Sequence, residues 1–267
     1  MQSPYFQREV EGIPETFFVP AAAIMGRRGE AEEEDIVCLD ESFFINDNYE
    51  LTTFSFGSQV LQLYCLQSAS RQLVWPGAVL LNDYLAKNAD IIQGCSVIEL
   101  GSGVGITGIL CSKFCHEVVM TDHNEEVLKI LKKNIELHAT SRISTRLKGE
   151  RLEWGNTDQL SSILQDHPQG FDIVLGADIY IQMPIFLSRR LIQSSVPLLF
   201  DTVEQLLKVR GGNKCKFILA YVSRAKIMDT LVVDEAMRHG LQINEVAGTR
   251  SVVKHLEGII FEIQIKE

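Results

Sequence analysis

The sequence predicts an α/β fold: a seven-stranded, mostly parallel sheet with helices on both faces, an antiparallel last strand and an N-terminal β-hairpin extension. Three observations lead there. From Trp75 onward, short apolar runs of strand length alternate with amphipathic helical patterns, and such alternation builds a parallel sheet between helix layers. The run Val97-Ile98-Glu99-Leu100 breaks into glycines at 101, 103 and 105 before a helical pattern begins, a strand–turn–helix unit. The final two apolar runs are joined by about a dozen residues with no helical pattern, which suits an antiparallel hairpin rather than another crossover.

Taken in order, residues 1–70 read as an extension and residues 71–267 as the main domain. Pro4, Pro14 and Pro20 punctuate the extension. Its acidic run, residues 29–35, reads as a solvated loop, with docking of a basic substrate as the second reading. Residues 36–39 and 52–56 can pair as a hairpin. Pro76-Gly77 then opens a helix to about residue 89, with Val79, Leu80, Tyr84 and Leu85 on its apolar stripe. A strand at 96–101 and a helix from about 104 to 114 follow. The next strand, 117–121, ends at Asp122. The helix from 125 to about 138 keeps Val127, Leu128, Leu131 and Ile135 at helical spacing and turns Lys129, Lys132, Lys133 and Glu136 outward. Strands are expected near 146–152 and at 171–177. A helical stretch from 184 to 209 is expected to be interrupted at Pro197 and stopped by Gly211-Gly212. A strand at 217–222, a helix from about 225 to 239 and strands at 241–246 and 258–265 complete the chain.

Composition excludes several classes of function. With 267 residues and 46% hydrophobic content, the chain can bury a sizeable core and is not a disordered one. No apolar run approaches the roughly 18 residues of a membrane span. Its first residues lack the basic-then-apolar pattern of a secretory leader. The expectation is therefore a cytoplasmic or nuclear protein with no membrane partner. The six cysteines are scattered. Cys111 and Cys115 stand four apart without a second pair, so the thiols read as reduced and no metal site is expected. A formal net charge of −10 disfavours direct nucleic-acid binding and suits a basic partner. The histidines show no ligand spacing, and no Ser-His-Asp constellation stands out.

In an open α/β sheet, ligands bind at the carboxyl ends of the strands. Three groups fall there. Gly101-Ser102-Gly103-Val104-Gly105 lets a ligand approach bare backbone. Just before it, Glu99 is a carboxylate in an apolar strand, costly to bury unless a ligand amine or backbone N–H groups bind it. Asp122, at the end of the next strand, can accept from both hydroxyls of a ribose or cap the helix that follows. Trp154-Gly155 follows the third strand, where an indole can flank an adenine or join the core. Neighbouring His123 can touch the rim. Order and spacing together point to an adenosine-type cofactor. The dinucleotide pattern G-x-G-x-x-G/A fails, because Ile106 occupies its third glycine position. An acid two residues before the first glycine suits S-adenosylmethionine, which brings an amine and no phosphate.

At these residues the chain resembles the seven-β-strand, class I methyltransferases, whose Rossmann-like sheet ends on an antiparallel strand. More narrowly, it resembles the methyltransferase family 16 protein lysine methyltransferases. The likeness is carried by Val74-Trp75-Pro76-Gly77-Ala78-Val79-Leu80-Leu81, by Glu99 through Gly105, by Thr121-Asp122, by Leu152-Glu153-Trp154-Gly155 and by Gly176-Ala177-Asp178-Ile179-Tyr180. It covers roughly residues 70–267. The resemblance implies S-adenosylmethionine as cofactor, with Trp75 and Ala177 near its methionine end. Glu99, Gly101, Ser102 and Gly103 would hold its amino-acid part, Asp122 its ribose and Trp154 its adenine. Asp178 and Tyr180 are implied as catalytic residues facing the substrate. The family reads Asp-x-x-Tyr or Phe at this point, whereas here the aromatic stands one residue early. The implied activity is methyl transfer to a lysine of a protein substrate by a monomer. Transfer to another nitrogen, in histidine or a small-molecule amine, is the alternative within this chemistry. A non-catalytic cofactor-binding interaction protein is the alternative outside it.

Overall fold

A computed structural model describes residues 49–66, 75–139, 145–178, 189–211, 214–223 and 226–266. The first element is a hairpin of β1 (Tyr49–Phe56) and β2 (Gln59–Leu66), joined across Gly57-Ser58. Period-two alternation in β2 buries Leu61, Leu63 and Cys65 and exposes Val60 and Gln62. Residues 52–56 thus lie in a hairpin as expected, but their partner is β2. The expected partner, residues 36–39, lies outside the described residues.

The first helix, α1 (Pro76–Lys87), starts on a proline at its first turn, where a missing N–H costs nothing. Then β3 (Ser96–Leu100), α2 (Ile106–Cys111), β4 (Glu117–Asp122), α3 (Glu125–His138) and β5 (Arg146–Arg151) form two successive β-α-β units with parallel strands. Helix α2 is shorter than its pattern suggested, closing in a turn after Cys111. Asn124 caps α3, its side chain accepting from Glu126 N and Val127 N. A helix that the apolar pattern did not announce, α4 (Thr157–Asp166), precedes β6 (Ile173–Ala177). Next come α5 (Arg189–Val209), β7 (Lys216–Val222), α6 (Lys226–Arg238), β8 (Leu241–Glu245), β9 (Ser251–Val253) and β10 (Leu256–Ile265).

The expected break at Pro197 does not occur, and α5 runs through it. An interior proline costs a helix about 3 kcal/mol. Here Val196, Leu199, Phe200, Val203, Leu206 and Leu207 are all fully buried from the same helix, and each contributes about 1.5–3 kcal/mol. Packing outweighs the lost hydrogen bond.

In the main sheet the strand order is β5-β4-β3-β6-β7-β10-β8, with β9 beside β10. The first five strands pair in parallel, and β10 is antiparallel to β7, β8 and β9. The antiparallel closing strand is as expected. It inserts between β7 and β8, which leaves β8 at the edge. Alternate sheet residues feed two cores. Val97, Val118, Ile173 and Ile218 join α1, α2, α3 and the hairpin on one face. Ile98, Val119, Val174 and Leu219 join α4, α5 and α6 on the other. The order in which strands are added reverses between β3 and β6, and in such sheets ligands bind in the crevice at the carboxyl ends beside that switch point.

Candidate functional site

The glycine turn stands at that crevice. Gly101, Gly103 and Gly105 have φ of 66°, 55° and 90°, a left-handed backbone that a side chain strains. A side chain at Gly105 would collide with Leu131 of α3 and come within 3.2 Å of Met120. At Gly103, by contrast, a methyl group would meet nothing within 4 Å. The turn is thus backed by protein at Gly105 and open at Gly103, the form of a cradle. Gly105 N donates to Ser102 O at 2.9 Å and Ser102 N to Thr121 O at 2.8 Å, which binds the turn to the end of β4.

Two acids flank it. Glu99 is buried in β3, and its Oε2 accepts from Gly108 N in α2 at 3.0 Å. Burial pushes its carboxyl up to about 7, against the hydrogen bond from Gly108 N that favours the anion, while the charge of Asp122 adds to the rise. Asp122 is also buried, at the end of β4. Its Oδ2 accepts from Gly103 N at 3.1 Å and its Oδ1 from Asn124 N at 3.0 Å, with His123 Nδ1 3.4 Å from Oδ1. Asn124, not Asp122, caps α3, so Asp122 serves the glycine turn. The hydroxyl of Ser102 accepts from Thr121 N at 3.1 Å and donates to Glu99 O at 3.3 Å. Two carboxylates beside bare backbone suit an ammonium group and a diol, not a phosphate.

A second group assembles on the β7 side. Asp178 follows β6 with φ of 50°, is buried, and accepts through Oδ2 from Gly77 N at the start of α1. A side chain at Gly77 would press on Asp178 Cγ at 2.8 Å. This close approach explains the glycine of Trp75-Pro76-Gly77 and brings Trp75, the N-cap of α1, beside the end of β6. Ala177 is the last residue of β6, half-buried against the first core. Trp154 is half-buried against the second core, and the next residue, Gly155, has φ of 81° and donates to Thr202 Oγ1 at 2.9 Å. Of the expected site residues, Tyr180 lies outside the described residues. Sequence reasoning did not find the Gly77–Asp178 contact. Its only trace was a glycine in the first turn of a helix, where nothing local requires one.

A mostly parallel sheet with one inserted antiparallel strand, and an acid–glycine–acid turn at its switch point, defines a class of protein: the seven-strand α/β methyltransferases. Within that class the chain belongs to the lysine methyltransferase family, whose family model matches residues 61–233. It is 34% identical to protein N-lysine methyltransferase METTL21A of Mus musculus over 131 residues, 48% of this chain and 57% of the relative. It is 33% identical to EEF1A lysine methyltransferase 3 of Xenopus tropicalis over 133 residues, 50% of this chain and 51% of the relative. The chain spans about half the length of these curated relatives. Among solved structures it is similar to a TehB-like SAM-dependent methyltransferase from Corynebacterium glutamicum, with a TM-score of 0.49 and 17% identity over 74% of this chain and 92% of that one.

Proposed function

We propose that this protein transfers a methyl group from S-adenosylmethionine to a lysine side chain of a protein substrate. The observation that carries the reading is the pair of buried acids, Glu99 and Asp122, on either side of an open glycine turn in a chain of the lysine methyltransferase family. Glu99 and the turn would hold the amino-acid part of the cofactor, Asp122 its ribose, Trp154 its adenine, and Trp75 and Ala177 its methionine end. When bound, the cofactor supplies a methyl group already activated on a sulfonium. What remains for the protein is to place the nucleophile in line and to exclude water. A lysine amine has a reference pKa of about 10.4, so it must arrive or become neutral before it reacts. In this reading Asp178, locked by the N–H of Gly77, holds the amine in position while solvent takes the proton. A charged acid favours the ammonium form, so orientation is its role rather than proton abstraction. Tyr180 completes the substrate side. The reading further takes the protein as a monomer of the cytoplasm or nucleus and assigns residues 1–70 to an extension that helps select the substrate. Incubation with methyl-labelled S-adenosylmethionine and candidate proteins, followed by mass spectrometry of the acceptors, tests the central claim. Label on lysine supports it. Transfer confined to histidine or a small amine, or cofactor binding with no transfer to any lysine, refutes it.

A further inference from the structure

We propose that Asn134 is a positioning residue of the cofactor site, tying the β1–β2 hairpin to the glycine turn. The inference rests on the reading of that turn as the cofactor cradle. Asn134 lies on α3 and is fully buried. Its Oδ1 accepts from Tyr64 N at 2.7 Å, and its Nδ2 donates to Tyr64 O at 3.1 Å and to Val104 O at 2.9 Å. The amide therefore makes three of the four hydrogen bonds open to it, and it makes them to two separate structural units. Towards the hairpin it acts as a short piece of strand, meeting both backbone groups of Tyr64 on the edge of β2 that faces away from β1. Towards the turn it holds the carbonyl between Gly103 and Gly105.

The turn is thereby fixed from two directions. Asp122 takes the N–H of Gly103 from the crevice side, and Asn134 takes the carbonyl of Val104 from behind. Leu131, one helical turn earlier on α3, fills the space against Gly105. Two neighbours on the same helix fasten the hairpin independently. His138 Nε2 lies 2.7 Å from Gln62 O, and Lys133 Nζ sits 4.4 Å from the Tyr49 ring centroid. Neither of these contacts involves the glycine turn, whereas the Asn134 side chain bonds hairpin and turn at once. By linkage, a ligand that orders the turn also protects β2.

The experiment uses the full chain, the variants Asn134→Ala and Asn134→Leu (the second keeps most of the side-chain bulk) and His138→Ala as a control. S-adenosylhomocysteine affinity is measured by calorimetry, and amide hydrogen exchange at residues 64 and 103–105 is followed without ligand. Both Asn134 variants are expected to weaken S-adenosylhomocysteine binding about tenfold and to speed exchange at residues 103–105. His138→Ala is expected to speed exchange in β2 alone and to leave the affinity within about twofold. Unchanged exchange at residues 103–105 in both Asn134 variants overturns the proposal. So does an equal loss of affinity in His138→Ala, which would mark general loosening. A wild-type chain that binds no S-adenosylhomocysteine overturns the cofactor reading itself, and the exchange measurement still decides whether Asn134 couples hairpin to turn.

Discussion

Replacing Glu99 by Gln should stabilise the ligand-free protein, by a margin that opens as pH rises from 4.5 to 7 and is constant above. Burial pushes the folded carboxyl from its ordinary 4.5 up to about 7. Well below pH 4.5 the folded and unfolded chains both carry a neutral acid, and the group is without effect. Between pH 4.5 and 7 the unfolded chain ionises while the folded chain keeps its proton, so stability falls as pH rises. Above pH 7 the folded protein holds a buried anion, and the accumulated loss levels off at about 3 kcal/mol. Glutamine retains an oxygen for the N–H of Gly108 and carries no charge, so it escapes that loss. Denaturant melts of wild type and Glu99→Gln at pH 4.5 and pH 8.5 should therefore show a stability difference that opens in favour of the variant by about 3 kcal/mol, on the order of 5–10 °C in Tm. The same variant should bind S-adenosylmethionine more weakly, because a neutral amide lacks the charge that meets an ammonium group. A stability difference that is flat with pH would refute the reasoning, since it would mean that Glu99 does not carry its proton through the window between 4.5 and 7.

Asp122→Ala removes the acceptor of Gly103 N and should weaken S-adenosylmethionine binding by about 1.5–3 kcal/mol, measured by calorimetry; unchanged affinity removes Asp122 from the site. Asp178→Asn keeps an oxygen for the N–H of Gly77 and should leave cofactor affinity intact while lowering kcat at least about tenfold, and equal turnover counts against its substrate role. Gly105→Ala, at φ of 90° and against Leu131, should destabilise by at least about 2 kcal/mol, whereas Gly103→Ala, with open space, should lose only about 1 kcal/mol to strain. The Lys254-His255 turn between β9 and β10 places two non-glycine residues at φ of 48° and 71°, so the double change Lys254→Asn, His255→Gly should raise thermal stability by about 1–2 kcal/mol.

That turn also shows why part of the fold was illegible. Two-residue hairpins announce themselves through Asn-Gly or its kin, and Lys254-His255 gives no such signal, so β9 could not be read. Helix α4 carries only Leu160, Ile163 and Leu164 as apolar periodic positions. Its available cue was Asn156, which caps it by accepting from Gln159 N at 3.1 Å. β2 did have a readable signature in Gly57-Ser58 followed by alternating Leu61, Leu63 and Cys65. Four of the five parallel strands, β3, β4, β6 and β7, were legible because a strand buried on both faces reads as a near-continuous apolar run, whereas β5, at the sheet edge, carries no such run. Within the site, the three glycines and two acids stood out because each violates the preference of its surroundings: an acid in an apolar strand, glycines before a helix. Asn134 obeys its surroundings, as one polar residue in an amphipathic helix. Its role depends on Tyr64 and Val104, 70 and 30 residues away, and no local pattern encodes such a meeting.

The insertion of β10 between β7 and β8 has a consequence for synthesis on the ribosome. β8 is translated before the strand that separates it from β7, so it has no lateral partner in the sheet until Leu256–Ile265 emerges. At about 5–20 residues per second that interval is on the order of seconds, during which the backbone edge of β7 that pairs with β10 stands uncovered. An uncovered strand edge is a template for wrong partners. A chain truncated before Leu256 is thus the form of this protein most in need of a chaperone, and it should aggregate more readily than the full chain.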